Sequence, residues 1–441
     1  MTASSKLIEE REKRTEWFRK DRFGMFIHWG LYAIPARGEW IRKDENITVE
    51  EYQTYFDEFN PVHYNPREWA KAAKQAGMKY AVLTAKHHDG FCLFDSKLTD
   101  YKATRTKAGK DLVREFLDAF REEGLKVGLY YSLIDWHHQD YPAYGDDFHP
   151  MRANEAFQRD PDNFSRYVDY MHGQVRELIT NYGKLDIMWF DFSYGEMSGE
   201  KWRATELISM IREIQPHIVI DNRLESNSHV SSIYTDNPTL YSGDFASPEQ
   251  TIPPGGLTRK DGVPIPWEAC VTLNNNWGYA AADHNYKSQT TVIRKLVECV
   301  SKNGNLLLNV GPDAKGLIPK ASLDILAEVG EWMSLNSDSI YGCGASSLPK
   351  PDWGRYTQRG NTLYAHVFEE SIGAISFPGL AGKVKHARLL SDGSELQISQ
   401  PWNTADYTSA AFVNFAKPEH FSYPLPDPRN TVIKLELIEP N

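Results

Sequence analysis

The run "LDIMWFDFSYG", from Leu185 to Gly195, reads as a buried strand with an aspartate at each end, Asp186 and Asp191. An unpaired carboxylate in an apolar core is costly, so each needs a reason to be there. Trp189 lies two positions before Asp191 and therefore on the same face of the pleat. A carboxylate beside an aromatic ring can attack a sugar whose apolar face stacks on that ring. The same aspartate would also serve to cap the loop that follows, and this strand alone leaves the two readings even. Asp186, at the start of the run, reads as a local cap or ion-pair partner.

The other strand-like runs tip the balance. The first ends in His28-Trp29-Gly30, followed by Glu39-Trp40, and the second in Lys86-His87-His88-Asp89-Gly90. The third ends in Tyr131, with Asp135-Trp136-His137 beyond it, and the fifth in Asp221-Asn222-Arg223. One histidine at a strand end is an ordinary core residue. His28, His87, His88, Asp191 and Arg223 together point to a shared site. "HHDG" invites a metal reading, but neighbouring residues of a regular strand face opposite ways, so His87 and His88 are not expected to chelate one ion. No HxH or HExxH spacing appears either. Neutral imidazoles exchanging hydrogen bonds with sugar hydroxyls fit better, and neither metal nor organic cofactor is expected.

The elements that must position these residues alternate from Phe23 to about Asn336. Apolar runs such as "FGMFIHW", "KYAVLTAKHH", "KVGLYYS", "HIVIDNR", "ACVTLN" and "NLLLNVGP" are separated by amphipathic stretches such as "KDLVREFLDAFREEG". Apolar residues there recur at helical spacing, and a glycine often stands at the stop. This alternation predicts a parallel sheet covered by helices. With no GxGxxG or P-loop after the first strand, a distorted (β/α)8 barrel is preferred over a nucleotide-binding open sheet. In a barrel, functional groups sit at the C-terminal ends of strands, where Asp191 falls and Asp186 does not. Beyond about Ser346 the helical period gives way to short alternating runs, which predict an all-β sandwich. The expected division is 1–340 for the barrel and 346–441 for the sandwich, whose default role is packing against the barrel. The Pro/Gly-rich stretch Asn237–Trp267 is expected to be a long loop shaping the aglycone side of the site.

Composition narrows the function class. The 441 residues are 41% hydrophobic and 25% charged, as in globular proteins generally, and the net charge of −11 disfavours nucleic acids and strongly anionic substrates. The 12% aromatic content suits a protein that handles sugars. Cys92, Cys270, Cys299 and Cys343 form no CxxC pair and are expected to be free thiols. The N-terminal residues carry no apolar leader-like run and no segment is long and apolar enough to span a membrane, so a cytoplasmic protein without membrane partners is expected. Oligomeric state is not legible.

Seven stretches, "WFRKDRFGMFIHWGLYAIPARGEW", "KYAVLTAKHHDGFCLFDSKLTDY", "KVGLYYSLIDWH", "DIMWFDF", "DFASPEQ", "WEACVTLNNNWGY" and "NLLLNVGPDAKGLIP", run in order from Trp17 to Pro319. Together they resemble the family 29 glycoside hydrolases, the retaining α-L-fucosidases. The resemblance implies a distorted (β/α)8 barrel followed by a β-sandwich, and a retaining exo-α-L-fucosidase releasing terminal L-fucose from small glycosides or oligosaccharides. It makes Asp191 the nucleophile and places His28, Glu39, Trp40, His87, His88, Tyr131, Trp189 and Arg223 around the sugar, with Trp277 against its methyl group. Double displacement needs a second carboxylic acid. Glu249 of "DFASPEQ" is preferred because a loop reaches varied leaving groups, Glu268 of "WEAC" is the alternative, and Asp244 stands third. Two other readings remain open: a fucose-binding protein without catalysis on the same scaffold, and a glycosidase for a related galacto-configured sugar.

Overall fold

The computed structural model describes residues 3–157, 161–226, 231–415, 421–422 and 424–438. Seven parallel strands form one sheet in the order β5-β4-β3-β2-β1-β7-β6. They are β1 (Phe23–Ile27), β2 (Tyr80–Lys86), β3 (Lys126–Ser132), β4 (Ile187–Asp191), β5 (Val219–Ile220), β6 (Glu268–Thr272) and β7 (Asn305–Val310). Almost every residue in them is buried, because side chains on one pleat face fill the barrel and those on the other meet the helices. The helix Leu112–Glu122 shows how local signals place that outer layer. Asp111 caps its first turn by accepting the Arg114 N–H at 3.0 Å. Leu112, Val113, Phe116, Leu117 and Phe120 are buried, and Gly124, at φ +77°, lets the chain turn back.

The barrel is distorted where an eighth strand would stand. β5 is two residues long, and its ladder with β4 ends at Met188–Ile220. Beyond that point a side chain replaces the ladder: the Phe190 N–H donates to Asp221 Oδ1 at 3.0 Å. The gap between β5 and β6 is filled by residues 244–250, which make isolated parallel bridges from Asp221 to Phe245, Ala246 to Trp267 and Glu249 to Cys270. The segment expected to be a free loop is therefore in part barrel wall. The Pro/Gly-rich residues after it turn towards the N-terminal ends of the strands. There Pro254, Leu257 and Pro264 line a groove with Ser301, Lys302 and Tyr356, so this part of the expected 237–267 loop, unlike Glu249, lies away from the strand mouths.

The C-terminal residues form two antiparallel sheets. One has the order β11 (Val384–Leu389), β14 (Thr431–Leu437), β9 (Thr362–Val367), β8 (Gly354–Arg359); the other has β10 (Ile375–Pro378), β13 (Ala410–Asn414), β12 (Gln397–Ile398). This region joins the barrel through polar anchors. The Trp332 indole donates to the Asn430 carbonyl at 2.9 Å, and Arg294 donates to the carbonyls of Phe368, Pro428 and Arg429. All four cysteines are buried and free, and no described helix is long and apolar enough to cross a membrane.

Candidate active site

A cavity of about 130 Å3 opens at the C-terminal ends of the strands. It is lined by Phe26, His28, Trp40, His87, His88, Tyr130, Trp189, Asp191, Phe192, Arg223, Glu249, Cys270 and Trp277. Asp191 is the last residue of β4, with its side chain 14% exposed. Tyr130 donates to its Oδ2 at 2.8 Å, and Arg223 Nη1 donates to its Oδ1 at 3.0 Å. The next residue, Phe192, is held at φ +82°, a conformation costly for a non-glycine residue and one that tends to persist at functional sites.

Arg223 joins the two acidic sides of the cavity. Its Nη2 donates to Glu249 Oε2 at 3.0 Å, so one guanidinium holds both carboxylates. Ser247 locks the fork by accepting from Nε at 2.9 Å through its hydroxyl and from Nη2 at 3.0 Å through its carbonyl. Burial opposes the charge on Arg223, but Asp191 and Glu249 outweigh it and keep the group cationic. Burial also raises the pKa of Asp191 to about 6, with Arg223 pulling it down and Glu249 pushing it up. At neutral pH Asp191 is ionised. Glu249 is 43% exposed, at the mouth, where an incoming or departing group has access.

The histidines are neutral, and two tautomers follow from their partners. Asn309 Nδ2 donates to the Trp277 carbonyl at 2.7 Å, which leaves its Oδ1 to accept from His28 Nδ1 at 2.7 Å. The Ser132 hydroxyl donates to the Ile134 carbonyl, so its oxygen accepts from His88 Nδ1 at 2.8 Å. Each imidazole then presents an unprotonated Nε2. Burial pushes the His28 pKa down to about 3 and those of His87 and His88 well below their ordinary value. His87 and His88 both line the cavity, with ring centroids 4.0 Å apart, against the expectation that they face opposite ways. β2 ends at Lys86, and the pleat rule does not extend into the turn.

Four candidate residues fall outside the cavity. Tyr131 does not reach the cavity: its hydroxyl donates to Gln174 at 2.7 Å on the helix side, and Tyr130 takes its place beside Asp191. Register explains this, because Tyr130 pairs with Trp189 and Tyr131 with Phe190, and paired residues of parallel strands share a face. Glu39 is buried and not among the lining residues; it accepts the Gly278 N–H at 2.8 Å and so holds the loop that presents Trp277. Burial raises its pKa to about 7. Glu268 is the first residue of β6, fully buried, and accepts from the Tyr80 hydroxyl at the start of β2. That is the floor of the barrel, so Glu268 cannot serve as an acid at its mouth. Asp244 is likewise a floor residue, held by Arg14 at 2.8 Å and Arg212 at 2.6 Å. Phe26, Tyr130, Phe192 and Cys270 were missed as lining residues. Phe26 lies two residues before His28 and so shares its face, which is the one signal the sequence offered; Tyr130 is picked out only by its pairing with Trp189.

A sequence model of the α-L-fucosidase family matches residues 2–338. Among solved structures, α-L-fucosidase isoenzyme 1 from Paenibacillus thiaminolyticus is 64% identical, covers 98% of this chain and 100% of its own, and superposes with a TM-score of 0.94. A GH29 α-L-fucosidase from Bacteroides thetaiotaomicron, a trapped covalent intermediate in complex with 2-fluoro-fucosyl fluoride, is 29% identical with a TM-score of 0.81 over 96% of both chains. The α-L-fucosidase of Dictyostelium discoideum is 29% identical over 386 residues, 80% of this chain and 77% of that protein.

Proposed function

The chain belongs to the α-L-fucosidase family of glycoside hydrolases, and within it we propose a retaining, exo-acting enzyme with Asp191 as nucleophile and Glu249 as acid/base. The observation that carries this reading is the single guanidinium of Arg223 shared by the two carboxylates. Carboxyl groups gathered in this way favour the roughly 5–5.5 Å separation of a retaining pair over the ~6.5–9.5 Å of an inverting one. The trapped intermediate of the Bacteroides relative supports the same chemistry.

In the first step Asp191 Oδ attacks the anomeric carbon while Glu249 protonates the departing glycosidic oxygen. Arg223 and Tyr130 hold the attacking carboxylate in line, and their hydrogen bonds also make it a better leaving group in the second step. Glu249, now ionised, takes a proton from water, which displaces Asp191 and releases fucose of unchanged anomeric configuration. The neutral Nε2 atoms of His28 and His88 accept from sugar hydroxyls, His87 and Trp40 complete that wall, and Trp189 lies beneath the ring. Trp277 meets the sugar methyl, a contact worth about 1–3 kcal/mol of discrimination against a sugar bearing a hydroxymethyl group there. A cavity of about 130 Å3 lies well below the ~300–1,000 Å3 of drug-sized pockets, which supports one terminal sugar as its occupant. Residues 1–340 are read as the catalytic unit and 346–441 as a sandwich that braces it.

Proton NMR of the first-formed sugar tests the proposal. Release of α-L-fucose from an aryl α-L-fucoside before mutarotation is the expected result. First appearance of the β anomer contradicts it.

A further inference from the structure

Glu268 has no part in the reaction above, yet it is a fully buried carboxyl inside the barrel. A hydrogen-bond chain of fixed direction runs into it. Arg22 can only donate, and its Nη1 donates to Asn305 Oδ1 at 3.4 Å. The amide is thereby oriented so that Asn305 Nδ2 donates to the Phe18 carbonyl at 2.8 Å and to the Tyr80 oxygen at 3.2 Å. The Tyr80 hydroxyl must then donate onward, to Glu268 Oε2. Among the described residues the other carboxyl oxygen, Oε1, is buried with no aligned partner, and so is the Trp189 indole Nε1. One orphan is an acceptor and the other a donor. Trp189 packs with Tyr80, Ile187 and Cys270, while Glu268 bonds to that same Tyr80 and stands two residues before Cys270, on its face of β6, and the nearby indole pulls the Glu268 pKa down. Leaving two such atoms unpaired in an apolar interior is costly, whereas pairing them removes both penalties.

We infer that Glu268 is a positioning residue for the sugar site: its Oε1 accepts the Trp189 indole N–H and fixes the rotation of the ring on which the substrate rests. The directed chain from Arg22 carries the position of the barrel floor to the floor of the sugar pocket. Among the described residues the Trp189 ring otherwise meets Phe26 at 5.3 Å, Tyr130 at 5.8 Å and the Arg223 guanidinium at 4.9 Å and packs on Ile187 and Cys270, none of which sets its rotation as a hydrogen bond does. Burial raises the Glu268 pKa to about 8, against the pull of Tyr80 and Trp189. A protonated Oε1 keeps a lone pair for the indole, so the contact does not require the charge.

This inference rests on the assignment of Trp189 to the sugar floor, so its test reads the contact and the sugar separately. The full chain is labelled with 15N at the tryptophan indoles, and the Trp189 resonance is the one lost in Trp189→Phe. In the wild type it is expected downfield and slow to exchange. In Glu268→Met it is expected to move upfield and to exchange about tenfold faster, the equivalent of one lost hydrogen bond. With an aryl α-L-fucoside, Glu268→Met is expected to raise KM about tenfold with kcat within about twofold, and to add nothing in a Trp189→Phe background. If Glu268→Met does not fold, Glu268→Gln serves: its one acceptor stays on Tyr80, and an amide N–H then faces the indole N–H, giving the same upfield shift. A Trp189 resonance unmoved by the Glu268 substitution, or effects that multiply independently in the double variant, overturns the inference. A shifted resonance in a protein whose wild type turns over no fucoside sinks the functional reading and leaves the contact standing.

Discussion

Asp244 and Glu249 stand at opposite ends of the segment that closes the barrel, and they have opposite surroundings. Asp244 is 1% exposed at the floor, where two arginines, Arg14 and Arg212, meet its one carboxylate. Glu249 is 43% exposed at the mouth, where it shares one arginine, Arg223, with Asp191. Two cations on one anion satisfy it and pull its pKa down against burial. One cation between two anions leaves charge to redistribute when a proton or a sugar arrives. The ratio of arginines to carboxylates separates the structural end of this barrel from the reactive end.

Substitutions at the two ends should therefore fail in different ways. Asp191→Gly is expected to lower kcat by on the order of 10^4–10^6 with the fold intact, and azide should rescue it to give a fucosyl azide of inverted configuration. Glu249→Ala is expected to lose about 10^2–10^4 in kcat on poor leaving groups and little on activated aryl fucosides, with azide returning the retained product. The comparison breaks if Glu249→Ala matches wild type across leaving groups.

At the floor the loss should be one of stability. Asp244→Ala removes the buried carboxylate that Arg14 and Arg212 share and is expected to cost up to about 3–5 kcal/mol in a denaturant titration, with kcat of the folded fraction unchanged. The pH dependence carries a sign. The folded-state pKa of Asp244 is depressed, so its contribution is complete above the unfolded value near ~3.9 and is lost as pH falls through the folded value. At the mouth the sign differs, because burial lifts Asp191 to about 6 and the reaction needs its ionised form. Plots of kcat/KM against pH should fall on the acid side through about 6, about tenfold per unit below that, and Asp244→Ala should leave this limb where it is.

The strand-then-helix alternation was legible because each strand of the barrel is a short apolar run; six of the seven runs hold a whole strand, and the run from Ala269 misses only the first residue of β6, Glu268. The site was legible in outline for the same reason, since functional groups stand where those runs end. Parity within β3 was not legible. In "KVGLYYS" both faces of the strand are buried, so no polar alternation marks which tyrosine looks inward. Only pairing with Trp189 across β4 selects Tyr130. The wall position of Glu249 was hidden too, because residues 244–250 join their neighbours through isolated bridges and have no run of their own. Glu268 stayed an alternative to Glu249 because a carboxylate near the start of an apolar run looks alike from sequence whether it anchors a floor or serves a reaction.

The central claim is that Asp191 forms the bond to the sugar. Incubating the full chain with 2-fluoro-fucosyl fluoride and mapping its proteolytic peptides by mass spectrometry tests it directly. The account predicts one fluorofucosyl adduct, on Asp191, absent from Asp191→Gly and still formed by Glu249→Ala. An adduct on Glu249 or on any other residue, or none while the enzyme hydrolyses fucosides, would contradict it.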